Sequence, residues 1–501
     1  MKKNRLLSAL AALALSASLL TACGNSDSSL SEETVTTTTT TVTCATASET
    51  TAPETTVTAE PSETETETET ETETETEAET STTTVSSTSA SSTSSSKTAA
   101  STTTVTAGTT VTTSKKSAAT TTKKSTSGTT TKATTTTTTQ KITYPGTASS
   151  SELDRPGKIR GLTPAQLIAE MTVGWNLGNS LDATSASGLK AETSWGNPKT
   201  TKAMIDAVKA RGFNTIRIPV TWGGHLGKAP DYTVDKAWMD RVQEVVNYAI
   251  DDGMYVILDS HHEESWRIPD NAHIDAVNDE VYRLWVQIAE RFKNYGDHLV
   301  LEGLNEPRVS GGTNEWNGGT TEGRRCIDRL NQTFIDAVRS TGGNNSTRLL
   351  LVTTFASSSV SQAINDVAIP KDKNIAFSIH SYTPYQFTYN SNQIWELFSW
   401  DGSHDYEITN MFNDLKKAFL DKGVPVIITE FGAVNKNGND ADVARWVTVY
   451  LQTAKKLGIP CVWWDNGYYS SGNELFGIFD RNGIKWFTDT VVDAIMKVYA
   501  Q

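Results

Sequence analysis

Two glutamates each follow an apolar, β-branched segment of the chain. Glu306 comes directly after segment 299–305, and Glu430 comes directly after segment 426–429. A protonated carboxyl group can donate to a poor leaving group, and an ionised carboxylate can attack the carbon from which that group departs. Two carboxyl groups in different protonation states are what the hydrolysis of a glycosidic bond requires. Glu306 and Glu430 are therefore the candidate catalytic pair.

The elements that must position this pair repeat along the second part of the chain. Eight short apolar segments alternate with amphipathic stretches, which is typical of parallel strands joined by helices. The predicted strands are 173–177, 215–220, 255–259, 299–305, 349–354, 375–380, 426–429 and 461–464. The predicted helices are 201–211, 235–251, 281–295, 325–340, 411–421 and 443–457. Eight such units in about 350 residues predict an α/β fold, a single (β/α)8 TIM barrel.

In a barrel of this kind the chemistry lies at the carboxyl ends of the strands. Strands four and seven face each other across the mouth, so Glu306 and Glu430 are expected to meet there. Retaining hydrolysis needs carboxyl groups about 5–5.5 Å apart, whereas inverting hydrolysis needs about 6.5–9.5 Å to admit a water molecule. Other polar and aromatic residues lie in or just after predicted strands, namely Arg217, His261, His262, Asn305, His380, Tyr382 and Trp463.

Six motifs in this part of the chain resemble the signatures of glycoside hydrolase family five. They are Gly174-Trp175-Asn176-Leu177-Gly178-Asn179, Ile216-Arg217-Ile218-Pro219-Val220, His261-His262-Glu263, Asn305-Glu306-Pro307, His380-Ser381-Tyr382 and Thr429-Glu430-Phe431-Gly432. The first motif and the paired histidines are most similar to subfamily four. The resemblance covers about 160–498 and implies a retaining endo-β-1,4-glucanase, in which Glu306 matches the general acid/base and Glu430 the nucleophile. The implied substrate is a cellulose-like, mixed-linkage or xyloglucan chain.

The two glutamates must hold two different pKa values. We expect Arg217 to donate a hydrogen bond to Glu430 and to keep that carboxylate ionised. The negative charge of Glu430 is then expected to raise the pKa of Glu306. Once Glu430 is glycosylated its charge is gone, so Glu306 loses its proton more readily and can activate a water molecule.

The resemblance also implies roles for residues around the pair. Asn305 matches the family residue that binds the sugar 2-hydroxyl, and Trp463 matches the platform beneath the sugar ring next to the cleaved bond. Trp464 is expected to be structural. We expect Tyr382 to donate to the nucleophile and His380 to contact the sugar or the acid. The alternative for each is a purely structural position, as a strand cap, a core aromatic ring or a satisfied polar group.

Several further residues near the strand ends are weaker candidates for a functional role. Asn176 and Trp316 are candidates for more distant sugar subsites. Glu302 precedes the catalytic acid by four residues on the same strand. It is therefore expected deeper in the barrel, as the partner of an inner ion pair. Glu263 and Glu264 follow the histidines and are expected on a solvated loop.

The adjacent His261 and His262 form a pattern that also occurs in metal sites. The sequence places no second group of ligands near them, and it contains neither an HExxH nor a CxxC motif. We therefore expect neutral imidazoles that line a sugar subsite, with no metal and no cofactor required. Cys326 and Cys461 are expected to be buried free thiols, because so few cysteines do not make a disulfide framework.

Charge and aromatic content restrict the function and the domain organisation. The chain has 58 Asp and Glu against 44 Lys and Arg, a formal net charge of −14, which argues against a nucleic-acid partner. All 13 Trp, 14 Tyr and 13 Phe lie from Tyr144 onward. The core and the catalytic domain are therefore assigned to 144–501. A carbohydrate-binding module, which needs aromatic platforms, is not expected before Tyr144.

The first 143 residues are predicted to contain an export signal and a linker. Basic residues precede an apolar stretch, and Leu20-Thr21-Ala22-Cys23 resembles a lipobox. Residues 1–23 are therefore interpreted as a lipoprotein-type signal peptide with Cys23 as the lipid anchor, and ordinary signal cleavage is the alternative. Residues 24–143, rich in Thr, Ser and Glu, are predicted to be a disordered linker. We expect an exported monomer that is secreted or held at the membrane only by its lipid.

Alternative functions come from within the family and from other classes. An endo-xylanase or a mannanase of the same family is open, because the loops after strands four, six and eight decide which glycan fits. A surface lipoprotein could also use an inactive barrel to capture polysaccharide without cleaving it, although both candidate carboxylates are present. A metal-dependent hydrolase would need clustered His and Asp ligands that the sequence does not reveal.

Overall fold

The computed structural model describes residues 144–389, 396–472 and 474–500. The predicted signal peptide with Cys23 and the predicted linker at 24–143 lie outside these residues. Every helix in the described part of the chain is too short or too polar to span a bilayer.

Eight parallel strands form a closed barrel in which each strand pairs with the next and β8 pairs with β1. The strands are β1 Val173–Asn176, β2 Thr215–Ile218, β3 Tyr255–Asp259, β4 Leu299–Glu302, β5 Leu350–Ser358, β6 Ile375–His380, β7 Val426–Phe431 and β8 Cys461–Trp463. This confirms the predicted (β/α)8 barrel. β4 ends earlier than predicted, whereas β5 and β7 extend further toward the mouth.

Helices surround the barrel. They are α1 Pro164–Glu170, α2 Lys202–Arg211, α3 Lys236–Asp251, α4 Ile274–Arg291, α5 Thr321–Ser340, α6 Ser361–Asp366, α7 Tyr385–Thr388, α8 Asp405–Ala418, α9 Asp440–Lys456 and α10 Asp489–Tyr499. Two short strands, β9 Phe479–Asp480 and β10 Lys485–Trp486, pair antiparallel between β8 and α10. Helices α4, α5, α8 and α9 begin earlier than predicted, because acidic residues in their first turns hide the apolar periodicity.

The barrel interior is apolar at its amino end and polar above it. Inward-facing residues of six strands form a cluster with α1, namely Ile257, Val300, Leu351, Ala376, Ile427, Val462, Leu167 and Ile168. Side chains alternate between the two faces of a strand, so residues two positions later also face inward. On five of these strands those residues are buried and polar, namely Asp259, Glu302, Thr353, Ser378 and Thr429. A second, larger cluster joins strands to helices and includes the predicted buried free thiols, Cys326 and Cys461.

The chain turns sharply between β4 and Glu306. Gly303 packs directly against α5, where an added Cβ would lie 2.5 Å from Cδ1 of Phe334. Glu306 has a φ of 40°, a left-handed conformation that residues with a side chain rarely adopt. Its backbone N–H donates to Oγ of Ser357 at 3.0 Å. Strain of this kind is concentrated at functional sites, which marks this turn as one.

We predict that Gly303→Ala lowers the free energy of unfolding by about 1–3 kcal/mol, the usual effect of overpacking a core. The added methyl group would collide with Phe334, whose ring is packed against Trp285 at 4.6 Å between centroids. Urea unfolding followed by tryptophan fluorescence measures the change. Gly224→Ala is the matched control, because a Cβ at Gly224 meets no atom within 4 Å. Equal stability of the two variants would contradict the close packing.

Candidate active site

Arg217 lies at the centre of the polar layer and is completely buried. Its Nε donates to Oε2 of Glu302 at 2.7 Å, and its Nη2 lies 2.7 Å from Oδ2 of Asp259. Its Nη1 donates to Oε1 of Glu430 at 2.6 Å. Burial lowers the pKa of a guanidinium, but the three carboxylates outweigh it and hold the pKa of Arg217 well above its usual value. The predicted inner ion pair with Glu302 and the predicted contact with Glu430 are both present.

Glu430, on β7, is held from two sides. Its Oε1 accepts the bond from Arg217, and its Oε2 accepts a hydrogen bond from Oη of Tyr382 at 2.9 Å, the contact expected for Tyr382. Nδ1 of His380, at the end of β6, lies 3.4 Å from the same Oε2. These donors fix the direction in which the carboxylate points and favour its ionised form.

Glu306 faces Glu430 across the mouth. Its Oε1 lies 2.9 Å from Nδ1 of His380, and its Oε2 lies 3.5 Å from Nη1 of Arg308. Oxygen atoms of Glu306 and Glu430 come within 4.8 Å of each other. This close approach favours the short spacing of retaining sites, about 5–5.5 Å between carboxyl groups, over the about 6.5–9.5 Å of inverting sites. The side chain of Glu306 is 21% exposed and that of Glu430 is 7% exposed.

His380 couples the protonation of the two carboxylates. Burial raises the pKa of Glu430, His380 and Arg217 oppose this shift, and the charge of Glu306 adds to it. Burial also acts to raise the pKa of Glu306, but the hydrogen bond and charge of His380, together with Arg308 and His261, outweigh burial and lower that pKa to about 2. Burial acts to lower the pKa of His380, yet the two carboxylates raise it.

The upward pKa shift predicted for Glu306 is therefore wrong for this arrangement. The prediction considered only the charge of Glu430, whereas the structure places an imidazole 2.9 Å from Glu306. Nδ1 of His380 lies 2.9 Å from Oε1 of Glu306 and 3.4 Å from Oε2 of Glu430, so a proton can be shared among the three groups. Three groups that interact this closely titrate as one unit.

Two asparagines complete the coordination of Arg217. Oδ1 of Asn305 accepts from Nη2 of Arg217 at 2.8 Å, which leaves its amide NH2 as a donor. Asn176 is fully buried. It donates to the carbonyl of Thr429 at 2.9 Å and accepts from Nη1 of Arg217 at 3.2 Å. The prediction of a distant sugar subsite at Asn176 is therefore wrong, because the residue lies inside the barrel and supports Arg217.

The structure reverses the predicted roles of the two tryptophans at β8. Trp463 is 1% exposed and packs outward, edge-on to Phe431 and Trp446. Trp464 lies at the mouth instead, with its ring parallel to that of His261 at 5.8 Å between centroids. Val462 faces the barrel interior, so strand alternation turns Trp463 outward and Trp464 inward. Trp463 is a core residue, and Trp464 is the aromatic ring available at the site.

Comparison with known proteins identifies the family to which this site belongs. The family described as Cellulase (glycosyl hydrolase family 5) matches residues 180–470, which include Arg217, Glu306 and Glu430. The chain belongs to glycosyl hydrolase family 5. The resemblance predicted from the six motifs is thereby confirmed, and the chain is a hydrolase of O-glycosidic bonds.

Three similar proteins illustrate the activities found among its relatives. Endoglucanase A of Ruminococcus albus is 66% identical over 347 residues, which are 69% of this chain and 95% of that protein. A solved xyloglucan-specific endo-β-1,4-glucanase from a metagenomic library, in complex with cellotriose, is 46% identical; the match covers 67% of this chain and 98% of that chain with a TM-score of 0.65. A solved mutant of a lichenase from Caldicellulosiruptor sp. F32, in complex with cellotetraose, is 38% identical. The match covers 69% of this chain and 97% of that chain, with a TM-score of 0.64.

The adjacent histidines of this hydrolase lie beside several carboxylates. Nδ1 of His261 lies 2.7 Å from Oδ2 of Asp259, and burial holds the pKa of His261 well below its usual value, so the ring is neutral. Nδ1 of His262 lies 3.6 Å from Glu264, and its Nε2 lies 3.9 Å from Oδ2 of Asp182. The expectation that no further ligand group lies nearby is therefore wrong. Asp182 is distant in sequence, and only closure of the barrel brings it beside the pair.

Glu263 is buried and not solvated as predicted. Its carboxylate accepts hydrogen bonds from the backbone N–H groups of Trp222 and Gly223 at 2.6 and 2.9 Å. It also accepts one from Nε1 of Trp266 at 2.6 Å, so it ties the loop after β3 to the loop after β2. The solvated-loop prediction fails because the partners are backbone groups of another loop. Glu264 is 26% exposed and lies 3.3 Å from Arg308.

Trp316, on the loop between β4 and α5, is 42% exposed. The guanidinium carbon of Arg308 lies 4.3 Å from the centre of its ring, and Arg308 also contacts Glu306 and Glu315. Arg308 thus links the exposed ring to the acid, a role that sequence reasoning missed although the residue follows Glu306 by two positions. The role of Trp316 as a distant subsite stays a prediction.

We predict that Tyr382→Phe moves the acid limb of the kcat/KM profile to higher pH. The Tyr382 hydroxyl donates to the ionised form of Glu430, so its removal raises the pKa of Glu430 further and a larger fraction of the carboxylate is protonated at a given acidic pH. A hydrogen bond to a charged group is worth about 1.5–3 kcal/mol, which corresponds to a displacement of about one pH unit or more.

The pH dependence of glucan hydrolysis, measured from about pH 3 to 9, reports the titration of the pair. Tyr450→Phe is the control, because the Tyr450 hydroxyl donates to the carbonyl of Ser381 and to no carboxylate. An unmoved acid limb in Tyr382→Phe would contradict the contribution of Tyr382 to the protonation of Glu430.

Proposed function

We propose that this chain is a retaining endo-β-1,4-glucanase with Glu306 as general acid/base and Glu430 as nucleophile. The observation that carries the proposal is the separation of at most 4.8 Å between oxygen atoms of the two carboxylates. An inverting site would need room for a water molecule beside one carboxylate. The names of the similar proteins, which are endoglucanases and a lichenase, support the same reaction class.

In the first step Glu430 attacks the anomeric carbon while the bond to the glycosidic oxygen breaks. The electron pair of that bond goes to the oxygen, which takes a proton from Glu306. Arg217 and Tyr382 keep the attacking carboxylate oriented. A bound glucan displaces water from the partly exposed Glu306 and raises its pKa. Glu306 then takes up a proton, for which the nearest relay is Nδ1 of His380 at 2.9 Å from its Oε1, and this supplies the acid that the step needs.

In the second step a water molecule hydrolyses the ester at Glu430. Esterification removes the charge of Glu430, and Glu306, which is now ionised, accepts a proton from the water. The water oxygen bonds to the anomeric carbon as the ester bond breaks, and the carboxylate of Glu430 returns to Arg217. Two inversions give net retention. The free amide NH2 of Asn305 is placed to donate to the sugar 2-hydroxyl throughout.

The proposed substrate is an internal bond of a cellulose-like, mixed-linkage or xyloglucan chain. Trp464 offers the aromatic face at the mouth, and His261 and His262 line the adjacent wall. Trp316 lies exposed on the β4–α5 loop as a more distant platform. Similar proteins act on xyloglucan in one case and are named lichenase in another, which favours glucan. Xylan and mannan are the second candidates.

We also propose that the protein is exported and anchored by a lipid. Residues 1–23 direct secretion, Cys23 carries the lipid, and the segment at 24–143 separates the anchor from a monomeric barrel. Such a tether suits an enzyme whose substrate is too large to enter the cell. Labelling with a radioactive fatty acid, lost in Cys23→Ser, tests the anchor independently of catalysis.

We predict that Glu306→Gln and Glu430→Gln each lower kcat on mixed-linkage glucan by on the order of a thousandfold. An aryl cellobioside whose leaving group needs no protonation separates the roles. Glu306→Gln should release a burst of the phenol and then stall, whereas Glu430→Gln should release none. Glu407→Gln is the control, because Glu407 is a carboxylate on α8 that pairs with His404. Retention of most activity in either variant would refute the assignment.

The same assay on carboxymethylcellulose, xyloglucan, xylan and mannan ranks the substrates. Cleavage of xylan or mannan alone would leave the catalytic pair in place and overturn the glucan specificity. Binding of a glucan without any cleavage would favour the surface-binding alternative.

We predict that Trp316→Ala raises KM for long glucans about three- to tenfold with little change in kcat, because stacking on an aromatic face contributes about 0.5–1.5 kcal/mol. Tyr406→Ala is the matched control, since Tyr406 is an exposed aromatic residue on α8, with 58% of its surface accessible. Initial rates across a range of glucan concentrations give the two parameters. An equal KM in both variants would exclude Trp316 as a platform.

A further inference from the structure

Asp182 is a buried carboxylate in the loop after β1 that lies beside the paired histidines. Its two oxygens accept backbone N–H groups of Asn179 and Ser180 at 3.0 and 2.7 Å. Among the residues that the structure describes, its one ion-pair contact within 4 Å is Nε2 of His262, at 3.9 Å. A carboxylate removed from water is unfavourable unless a cation lies close to it. The loop thus presents a buried carboxyl group toward the two imidazoles.

Both imidazoles beside Asp182 have a carboxylate near Nδ1, and for His261 it lies within hydrogen-bond distance. Each has a carboxylate at Nδ1, Asp259 at 2.7 Å for His261 and Glu264 at 3.6 Å for His262. A carboxylate that accepts the N–H of one ring nitrogen leaves the lone pair on the other, which is how most metal-binding histidines are held. The contact with Asp259 therefore leaves the lone pair of His261 on Nε2, and Nε2 of His262 lies 3.9 Å from Asp182.

The three side chains converge closely enough to share one ion. One ligand atom each of Asp182, His261 and His262 lies within 4.8 Å of the other two. Ligands about 2.0–2.1 Å from a tetrahedral zinc ion are about 3.3 Å apart. Small side-chain rotations would therefore bring the three ligand atoms to the spacing that one ion requires. Two imidazole nitrogens and one carboxylate oxygen suit zinc and its neighbours in the transition series better than magnesium or calcium.

We propose that Asp182, His261 and His262 form a binding site for a divalent transition metal such as Zn²⁺, and that an ion bound there blocks glucan binding. His261 lies parallel to Trp464, so the ion sits beside the ring assigned above to the sugar. The ion takes no part in hydrolysis and acts as a reversible inhibitor. The blocking effect rests on the proposed function, whereas metal binding does not.

Calorimetric titration of the full chain with ZnCl2 tests the site without any measurement of activity. We expect one Zn²⁺ per chain, with Kd raised at least tenfold in His262→Gln and in Asp182→Asn. The His262 side chain is 32% exposed, so this variant tests the site even if the buried Asp182→Asn fails to fold. His273→Gln is the matched control, because this exposed histidine also has a carboxylate at Nδ1, at 2.7 Å.

A second cluster, formed by Glu306, His380 and Glu430, offers the alternative location. Zinc binding that persists in His262→Gln but is lost in Glu430→Gln would place the ion between the catalytic carboxylates and overturn the proposal. No zinc binding to the wild-type chain would overturn it as well.

Competition tests the blocking effect. Zn²⁺ should raise KM for mixed-linkage glucan at unchanged kcat, a chelator should reverse this, and cellotriose should weaken zinc binding in the calorimeter. A fall in kcat at unchanged KM would refute blocking. If the chain cleaves no glucan at all, the proposed function fails, while the calorimetric result still decides the metal site.

Discussion

The site depends on one buried cation. Arg217 is enclosed by the barrel, and its guanidinium contacts Asp259, Glu302 and Glu430 at 2.6–2.7 Å. Loss of Arg217 would leave three carboxylates without their shared cation, and removing one partner of a buried ion pair costs about 3–5 kcal/mol in comparable cases. The same group that holds the inner carboxylates also orients the carboxylate at the mouth. Stability of the polar layer and placement of the nucleophile are therefore one constraint.

Strand alternation makes this arrangement possible. An apolar layer with α1 closes the amino end, and the next inward residue of each strand supplies the polar layer. Within that layer, Oγ of Ser378 lies 2.7 Å from Oε1 of Glu302 and 2.5 Å from Oγ1 of Thr429. Because these polar groups form hydrogen bonds with one another, the layer beneath Glu430 is rigid. Glu306 stands instead on a strained turn after β4, so the two halves of the catalytic pair are supported in different ways.

His380 links the two catalytic carboxylates. Its Nδ1 lies 2.9 Å from Glu306 and 3.4 Å from Glu430, and the two carboxylates raise the pKa of the imidazole. Burial alone would raise the pKa of both glutamates, but the hydrogen bond and charge of His380, together with Arg308 and His261, reverse the direction at Glu306. Substrate binding then does more than position the glucan. It also excludes water from Glu306, which raises the pKa of Glu306 and favours its protonated form.

Eight strands, most of the helices, the catalytic pair and the contact of Arg217 with Glu430 were predictable from the sequence, because periodicity and short motifs are local properties. The sequence also indicated that Glu302 is an inner ion-pair partner, whereas the fold identifies its cation as Arg217. Only the tertiary structure decided which tryptophan of β8 faces the site, that Asn176 supports Arg217, and that Glu263 is buried. The same holds for the position of His380 between the carboxylates and of Asp182 beside the histidines. Those outcomes depend on which face of each strand turns inward and on contacts between residues far apart in the chain, and both are settled only when the barrel closes.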